Sequence, residues 1–365
     1  MTVRWGILGP GHIANAFATG LAAIESGRLV AVGSRDAARS RAFGARHGAD
    51  EVHCHGSYAA LVADPEVDAI YVASPHPWHL EHALLAFAAG KHVLCEKPAG
   101  MRALEVGTMI AAARTLDRFF MEGFMYRCHP WIGYLGGLLS SDVVGAALHV
   151  DATFGFDVPR DPSSRLFDHA LGGGGILDVG CYPMSVARLV AGLASGSDVE
   201  EPDTIIGHGL IGPTQVDEVA HASLRFPSGM TANLGCAVSR ALGSRVAVRG
   251  ESGTIEISHD CWLPGARGGE VDVRIAVVPD EGERYTIDVP ADRPLYAYEA
   301  DVASRAITRG LREAPSPAPT FADSLGNARA LDAWRAAVGY VAVGDVVQPE
   351  SRGRGATASA SPTSL

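Results

Sequence analysis

No stretch of the 365-residue sequence approaches the roughly 20 consecutive apolar residues expected of a membrane span. The first residues, MTVRWGILGPG, start directly on a strand pattern. They lack the basic region, apolar stretch and small-residue cleavage site of a secretory signal, so the chain is expected to be cytoplasmic. Positive charge is in deficit: Lys and Arg number 30 against 41 Asp and Glu, a net charge of −11. That balance argues against nucleic acid or an anionic membrane as a main partner. No internal repeat is visible. The six cysteines, Cys54, Cys95, Cys128, Cys181, Cys236 and Cys261, are scattered and form no C-x-x-C pair. Reduced thiols are the expectation for such a chain. The triplet HCH at 53–55 has metal-ligand residue types. Adjacent residues of an extended segment point to opposite faces, however, and no second cluster has ligand spacing, so no metal is expected. The whole chain is 47% hydrophobic and 19% charged, the make-up of a globular protein with a full core and room for two domains.

VRWGILG (3–9) has the pattern of a buried strand and runs into GPGHIA, which sets Gly9, Gly11 and Ala14 at G-x-G-x-x-A spacing. A helical pattern follows. Strand, glycine-rich turn and helix are the context that dinucleotide binding requires. Gly9 allows the tight turn, Gly11 lets backbone approach a pyrophosphate, and Ala14 lets helix and strand pack closely. The helix start, His12 and Ile13 included, then offers free N–H groups to phosphate. The second strand, RLVAVGSRD (28–36), ends on Ser34 and Arg35 where an NAD-binding chain places an acidic residue. Arginine suits a 2′-phosphate, and Arg39 lies one helical turn further on. Asp36 reads as the cap of the next helix. NADP(H) is therefore the expected cofactor, with NAD(H) as the alternative. VDAIYVASP (67–75) and HVLCEKP (92–98) are further strands, separated by an amphipathic helix. This β-α-β rhythm predicts a parallel, doubly wound α/β sheet with ligands at the carboxyl ends of its strands. Ser74, Pro75, His79, Glu96 and Lys97 all fall at or just beyond such ends, beside the dinucleotide.

Past residue 123, LHVDATFGF, TIIGHGLIG, VDEVAHASLRF, MTANLGCAVS, RVAVRGESGTIEIS, EVDVRIAVV and RYTIDVP carry period-two patterns. They predict an open, largely antiparallel sheet in a second, α+β domain. Two late helices, YEADVASRAITRGL and FADSLGNARALDAWRAAVGY, are expected to pack back against the domain boundary. The expected division is a nucleotide-binding domain over 1–122, a substrate-binding and oligomerisation domain over 123–345, and a small, polar, disordered tail over 346–365.

GILGPGHIA, ASPHPWHLEHALLAFAAGKHVLCEKP and GGGGILDVGCYP together resemble the Gfo/Idh/MocA family of oxidoreductases. GFMYRCHP (123–130) and the tyrosine of LDVGCY are most similar to its dihydrodiol dehydrogenase, NADP-xylose dehydrogenase and anhydrofructose reductase branch. The resemblance implies NADP(H), a homodimer or homotetramer formed through the second domain's sheet, and a carbohydrate-like substrate.

Hydride transfer at a carbon bearing oxygen needs a general acid/base within reach. Lys97, Asp178 and Tyr182 are the candidates. Asp178 and Tyr182 are four apart and share a face of the helix predicted from Ile176. On residues alone, a core tyrosine and a first-turn helix aspartate are equally good readings. The family motif implies the catalytic one. In it, Tyr182 donates or takes the proton, Lys97 holds the substrate oxygen and the nicotinamide ribose and lowers the tyrosine's pKa, and Asp178 binds a substrate hydroxyl or orients the tyrosine. Candidate substrate contacts are His76, Arg127, Asp168 and His169, with His129 beside them. The alternatives are an NAD-dependent inositol or sugar dehydrogenase and a non-catalytic dinucleotide sensor. The retained Lys97, Asp178 and Tyr182 argue against the sensor.

Overall fold

The computed structural model describes residues 2–48, 53–257, 261–264 and 273–342. Its first half alternates strand and helix: β1 (Val3–Leu8), α1 (His12–Leu21), β2 (Gly27–Gly33), α2 (Ala37–Arg46), β3 (His53–His55), α3 (Tyr58–Val62), β4 (Ala69–Val72), α4 (His79–Ala88), β5 (His92–Glu96), α5 (Ala103–Thr115) and β6 (Phe120–Gly123). The six strands form one sheet in the order β3-β2-β1-β4-β5-β6, with every pair parallel. The order reverses between β1 and β4, so a crevice opens at the carboxyl ends of those strands. β1, β4 and β5 are largely apolar, and β4 wholly so, because both faces of the sheet are covered. Val3, Trp5 and Ile7 of β1 join one core with Phe17 of α1, while Leu8 joins a second core with Leu61, Ala83, Phe87 and Met109 of α3, α4 and α5.

The second half contains α6 (Pro130–Ser140), β7 (Ala147–Asp157), α7 (Cys181–Ser195), β8 (Thr204–Ile211), β9 (Asp217–Arg225), β10 (Thr231–Ala237), β11 (Ser239–Gly250), β12 (Gly253–Ile257), β13 (Val273–Pro279), β14 (Tyr285–Val289), α8 (Leu295–Thr308) and α9 (Phe321–Ala337). Strands β7 to β14 make an eight-stranded sheet in the order β14-β13-β12-β11-β7-β10-β9-β8, antiparallel except where β10 runs parallel to β7. Alternation aims Val150, Ala152, Phe154, Ala220, Ala222, Leu224, Ala232 and Leu234 at the core. Helix α7 lies in that core, with every residue from Cys181 to Gly192 buried.

Within RFFMEGFMY (118–126) strand β6 stops at Gly123, and Met125–Cys128 forms a 3-10 turn. The helix expected from Ile176 opens with a π turn over Ile176–Gly180 before α7 begins. The helical stretch His169–Ser195 has the length and composition of a membrane span, but its most apolar 18-residue window is 94% buried inside the protein, which accounts for its hydropathy as a core element. Helix α8 packs back onto the first half of the chain and covers its sheet beside α1. A Cβ on Gly20 would stand 2.6 Å from the Ala297 nitrogen, and Trp5 Nε1 donates to Ser304 Oγ at 2.9 Å. The tail at 346–365 and the start of EVDVRIAVV lie outside the described residues.

Candidate active site

A groove of about 630 Å³ runs over the carboxyl ends of β1, β2, β4 and β5. Gly9 turns the chain at φ +91°, with Ala73 backbone 3.2 Å from where a Cβ would sit. At Gly11, by contrast, an added Cβ meets nothing within 4 Å and would project into the groove. Gly11 also caps α1 with no side-chain bond to the first-turn N–H groups. An uncapped helix start at an open cradle suits the phosphates of a dinucleotide. His12 and Ile13 line the same wall.

At the end of β2, Ser34 is buried and its Oγ accepts from the Asp36 N–H at 3.2 Å. Asp36 caps α2, accepting from the Ala38 N–H at 2.8 Å, so its carboxylate is engaged as predicted. Arg35 and Arg39 are exposed along the groove, and neither is paired with a carboxylate among the described residues. Ser74, Pro75, His76 and His79 form the wall after β4. His79 is fully buried and bridges the Ser74 carbonyl at 2.7 Å and the Pro98 carbonyl at 2.9 Å. Two carbonyl acceptors favour a doubly protonated ring, but burial opposes it more strongly and lowers the pKa to about 4. The neutral ring has one N–H to give, so it donates to one of these two carbonyls at a time, between the β4 loop and the cis Lys97–Pro98 turn. Burial, with His79 and Lys97 adding to it, likewise holds His76 well below the usual histidine pKa.

The floor is built by β5 and the π turn. Glu96 is buried and accepts from the Tyr71 hydroxyl, and burial raises its pKa. Lys97 reaches across to the second half of the chain. Its Nζ donates to the Asp178 carbonyl at 2.6 Å and lies 3.7 Å from Asp178 Oδ1. Arg165 Nη1 donates to the same Oδ1 at 3.0 Å. Burial alone would raise the Asp178 pKa, but Lys97, Arg165 and His76 outweigh it and hold the carboxyl below its ordinary value. A carboxylate and an ammonium therefore stand side by side where the two halves of the chain meet.

Tyr182 departs from expectation. Lys97 Nζ sits over its ring, 5.1 Å from the centroid, and not beside its oxygen. The hydroxyl points to Met125 Sδ at 3.5 Å, and Phe124, Tyr126, Phe154 and Trp262 surround the ring. Burial raises the phenol's pKa well above 10, the reverse of the lowering expected from Lys97. The reason is geometric: a cation on the ring face is attracted to the π system but gives the phenolate oxygen little direct help. Tyr182 does not line the groove.

Four candidate substrate contacts also lie elsewhere. Arg127 is 1% exposed and bonds the Pro317 carbonyl, Ser185 Oγ and Asp323, tying the 3-10 turn to α7 and α9. Asp168 caps a short turn through the Ala170 N–H, and His169 bonds the Val341 carbonyl. His129 caps α6 through the Trp131 N–H. The groove instead gains Arg165, Tyr58, Pro10 and Ala73. Arg165 lies in the loop that leads to Asp168, where no spacing marked which residue turns inward.

The expectation of no metal at 53–55 rested on neighbours alternating faces. That applies to Cys54, whereas His53 and His55 share a side of β3 and both bond Asp64 Oδ2, at 2.7 and 2.9 Å.

A parallel six-stranded sheet with a glycine-rich crevice, where a lysine at the end of its fifth strand meets an aspartate from the second half of the chain, defines a dinucleotide-dependent oxidoreductase. Residues 3–124 match the family described as "Oxidoreductase family, NAD-binding Rossmann fold", and residues 134–256 match the GFO/IDH/MocA C-terminal domain. The chain belongs to the Gfo/Idh/MocA oxidoreductase family. It is 33% identical to trans-1,2-dihydrobenzene-1,2-diol dehydrogenase of Sus scrofa over 93% of this chain and 98% of that enzyme. Identity to the Danio rerio enzyme of the same name is 34%, with the same coverage. Among solved structures, a 3-ketoreductase from Actinomadura kijaniata in complex with NADP and TDP-benzene superposes with a TM-score of 0.79 at 27% identity. An aldose-aldose oxidoreductase from Caulobacter crescentus, complexed with glycerol, gives 0.81 at 26%. Each covers 93% of this chain and 98% of its own.

Proposed function

We propose that this protein is an NADP(H)-dependent dehydrogenase or reductase that interconverts a hydroxyl and a carbonyl on a sugar, cyclic polyol or related diol. The observation that carries the reading is the position of Lys97. Its ammonium lines the dinucleotide groove and at the same time bonds Asp178 from the second half of the chain. A bound nicotinamide supplies or accepts the hydride. Lys97 touches the reacting oxygen and stabilises the negative charge that develops there during reduction. Asp178, kept ionised by its cationic neighbours, accepts a hydrogen bond from a substrate hydroxyl. Tyr182 donates the proton in reduction. Its raised pKa keeps the phenol protonated at neutral pH, which suits an acid better than a base. That role requires the hydroxyl, which points to Met125 in the structure, to turn toward the groove.

Ser34, Arg35 and Arg39, with Asp36 engaged as a cap, support NADP(H) over NAD(H), and so does the NADP bound by the Actinomadura kijaniata relative. The names of the relatives support chemistry at a hydroxyl or carbonyl of a diol or sugar. The subunit contact we propose is the solvent face of the eight-stranded sheet, where Ile206 and Leu210 of β8 are exposed.

The test is a spectrophotometric screen of sugars, polyols, diketones and trans-dihydrodiols with both cofactors, run on the wild type and Lys97→Met. Wild-type turnover with NADP(H), lost in the variant by two or more orders of magnitude while cofactor binding persists, is the expected result. Unchanged turnover in Lys97→Met would overturn the assignment.

A further inference from the structure

His53, His55 and Asp64 lie on the edge strand β3 and the loop after α3, and the dinucleotide reading gives them no role. His53 Nδ1, His55 Nε2 and Asp64 Oδ2 all lie within 4.8 Å of one another. The Asp64 carboxylate is the fixed member. Its side chain is 3% exposed, and its Oδ1 accepts from the Glu66 N–H at 2.8 Å. Lys91 Nζ takes the backbone carbonyls of Asp64 and Val67, leaving Oδ2 to the two imidazoles. The His53 side chain is 53% exposed, so the cluster opens to solvent on one side.

We propose that these three residues form a binding site for a divalent transition-metal ion of the zinc or cobalt type. Two imidazoles and one carboxylate are the donor set such ions take with three protein ligands, and water would complete a tetrahedron. Two nitrogen donors make calcium or magnesium a poor match, since those ions take oxygen ligands. Metal bonds of about 2.0–2.1 Å at tetrahedral angles set ligand atoms about 3.4 Å apart. The two imidazole nitrogens stand 2.7 and 2.9 Å from Oδ2, so rotations of the two rings by about half an ångström admit the ion. Both rings already aim a nitrogen at one carboxylate oxygen, and the ion replaces the hydrogens between them. Each neutral ring then carries its hydrogen on the other nitrogen.

The ion would fasten a three-residue edge strand to the segment that follows α3. That strand borders the groove, because the Ser34 N–H donates to the His55 carbonyl at 3.2 Å.

The experiment uses the full chain, stripped with a chelator and titrated with Co²⁺ by absorption and with Zn²⁺ by calorimetry. His53→Ala, His55→Ala and a control, His149→Ala, are compared; His149 also sits near a carboxylate, with Nε2 3.4 Å from Asp151. One equivalent should bind the wild type and the His149 variant and raise Tm in both. Removing a direct ligand should weaken that equivalent by more than the roughly 10–100-fold typical of outer partners. His53→Cys should restore binding. Unchanged stoichiometry and affinity in both His53→Ala and His55→Ala would overturn the proposal, as would no binding to the wild type at 100 µM metal. His53 is exposed enough that its replacement leaves the fold intact, which circular dichroism checks.

Discussion

Replacing Arg35 by alanine separates the two nicotinamide cofactors. NADPH differs from NADH by a 2′-phosphate carrying about −1.5 to −2 charges at neutral pH. In the structure Arg35 and Arg39 flank the end of β2 without carboxylate partners among the described residues, so neither must give up an ion pair to meet that phosphate. A hydrogen bond to a charged group contributes about 1.5–3 kcal/mol. Both arginines are exposed, and solvent screening brings the expectation down to about 1–2 kcal/mol. At about 1.4 kcal/mol per decade, Arg35→Ala should weaken NADPH about 5–30-fold and NADH less than about 2-fold. Adding Arg39→Ala should lower NADPH affinity further but not additively, because the two residues serve one phosphate. Titration of nicotinamide fluorescence at low salt gives both dissociation constants. Raising salt to about 0.5 M should shrink the wild-type preference and leave the variant nearly unchanged. Equal losses for the two cofactors would refute the argument, whatever their size.

Tyr182→Phe should leave NADPH binding within about 2-fold and cut turnover by about 10²–10⁴, the usual contribution of a general acid; near wild-type turnover would make Tyr182 a core residue only. Gly11→Ala should fold with unchanged Tm, since its backbone at φ −97°, ψ −166° suits alanine and the new Cβ meets nothing. That methyl enters the groove, so dinucleotide affinity should fall by about 1–3 kcal/mol of steric cost, and equal affinity would contradict the phosphate cradle. Glu122 is buried, and burial lifts its pKa from 4.5 to about 7. Between those values the folded chain holds a proton that the unfolded chain has released, so stability falls as pH rises through the window. The cost on full ionisation is about 3 kcal/mol at 1.36 kcal/mol per pH unit. Glu122→Gln, whose amide oxygen can still accept from the Ala99 N–H, should therefore raise Tm at about pH 8 and do little at about pH 5. A pH-independent effect in thermal melts would contradict this.

The nucleotide half was legible because its signals are local. Strand ends, the glycine spacing at Gly9 and Gly11, the cap at Asp36 and the Glu96-Lys97-Pro98 turn are set by backbone conformations that a few neighbouring residues determine. Period-two alternation announced the second sheet in the same way. Together they implied the family, the groove and most of its lining before any coordinates. Packing between distant segments decided the rest. Tyr182 and Asp178 were expected on one helical face, but the π turn at Ile176–Gly180 brings Asp178 to the groove and leaves Tyr182 among aromatic rings. Arg127 looked available for substrate until its guanidinium met Asp323, nearly 200 residues away. Arg165 turns inward because Asp178 receives it, and α8 joins the first sheet because Gly20 lets it close. His53 and His55 meet Asp64 only where β3 passes the exit of α3. The sequence by itself determined where backbone would offer a dinucleotide site; which side chains face that site depended on long-range contacts, whose geometry no local pattern encodes.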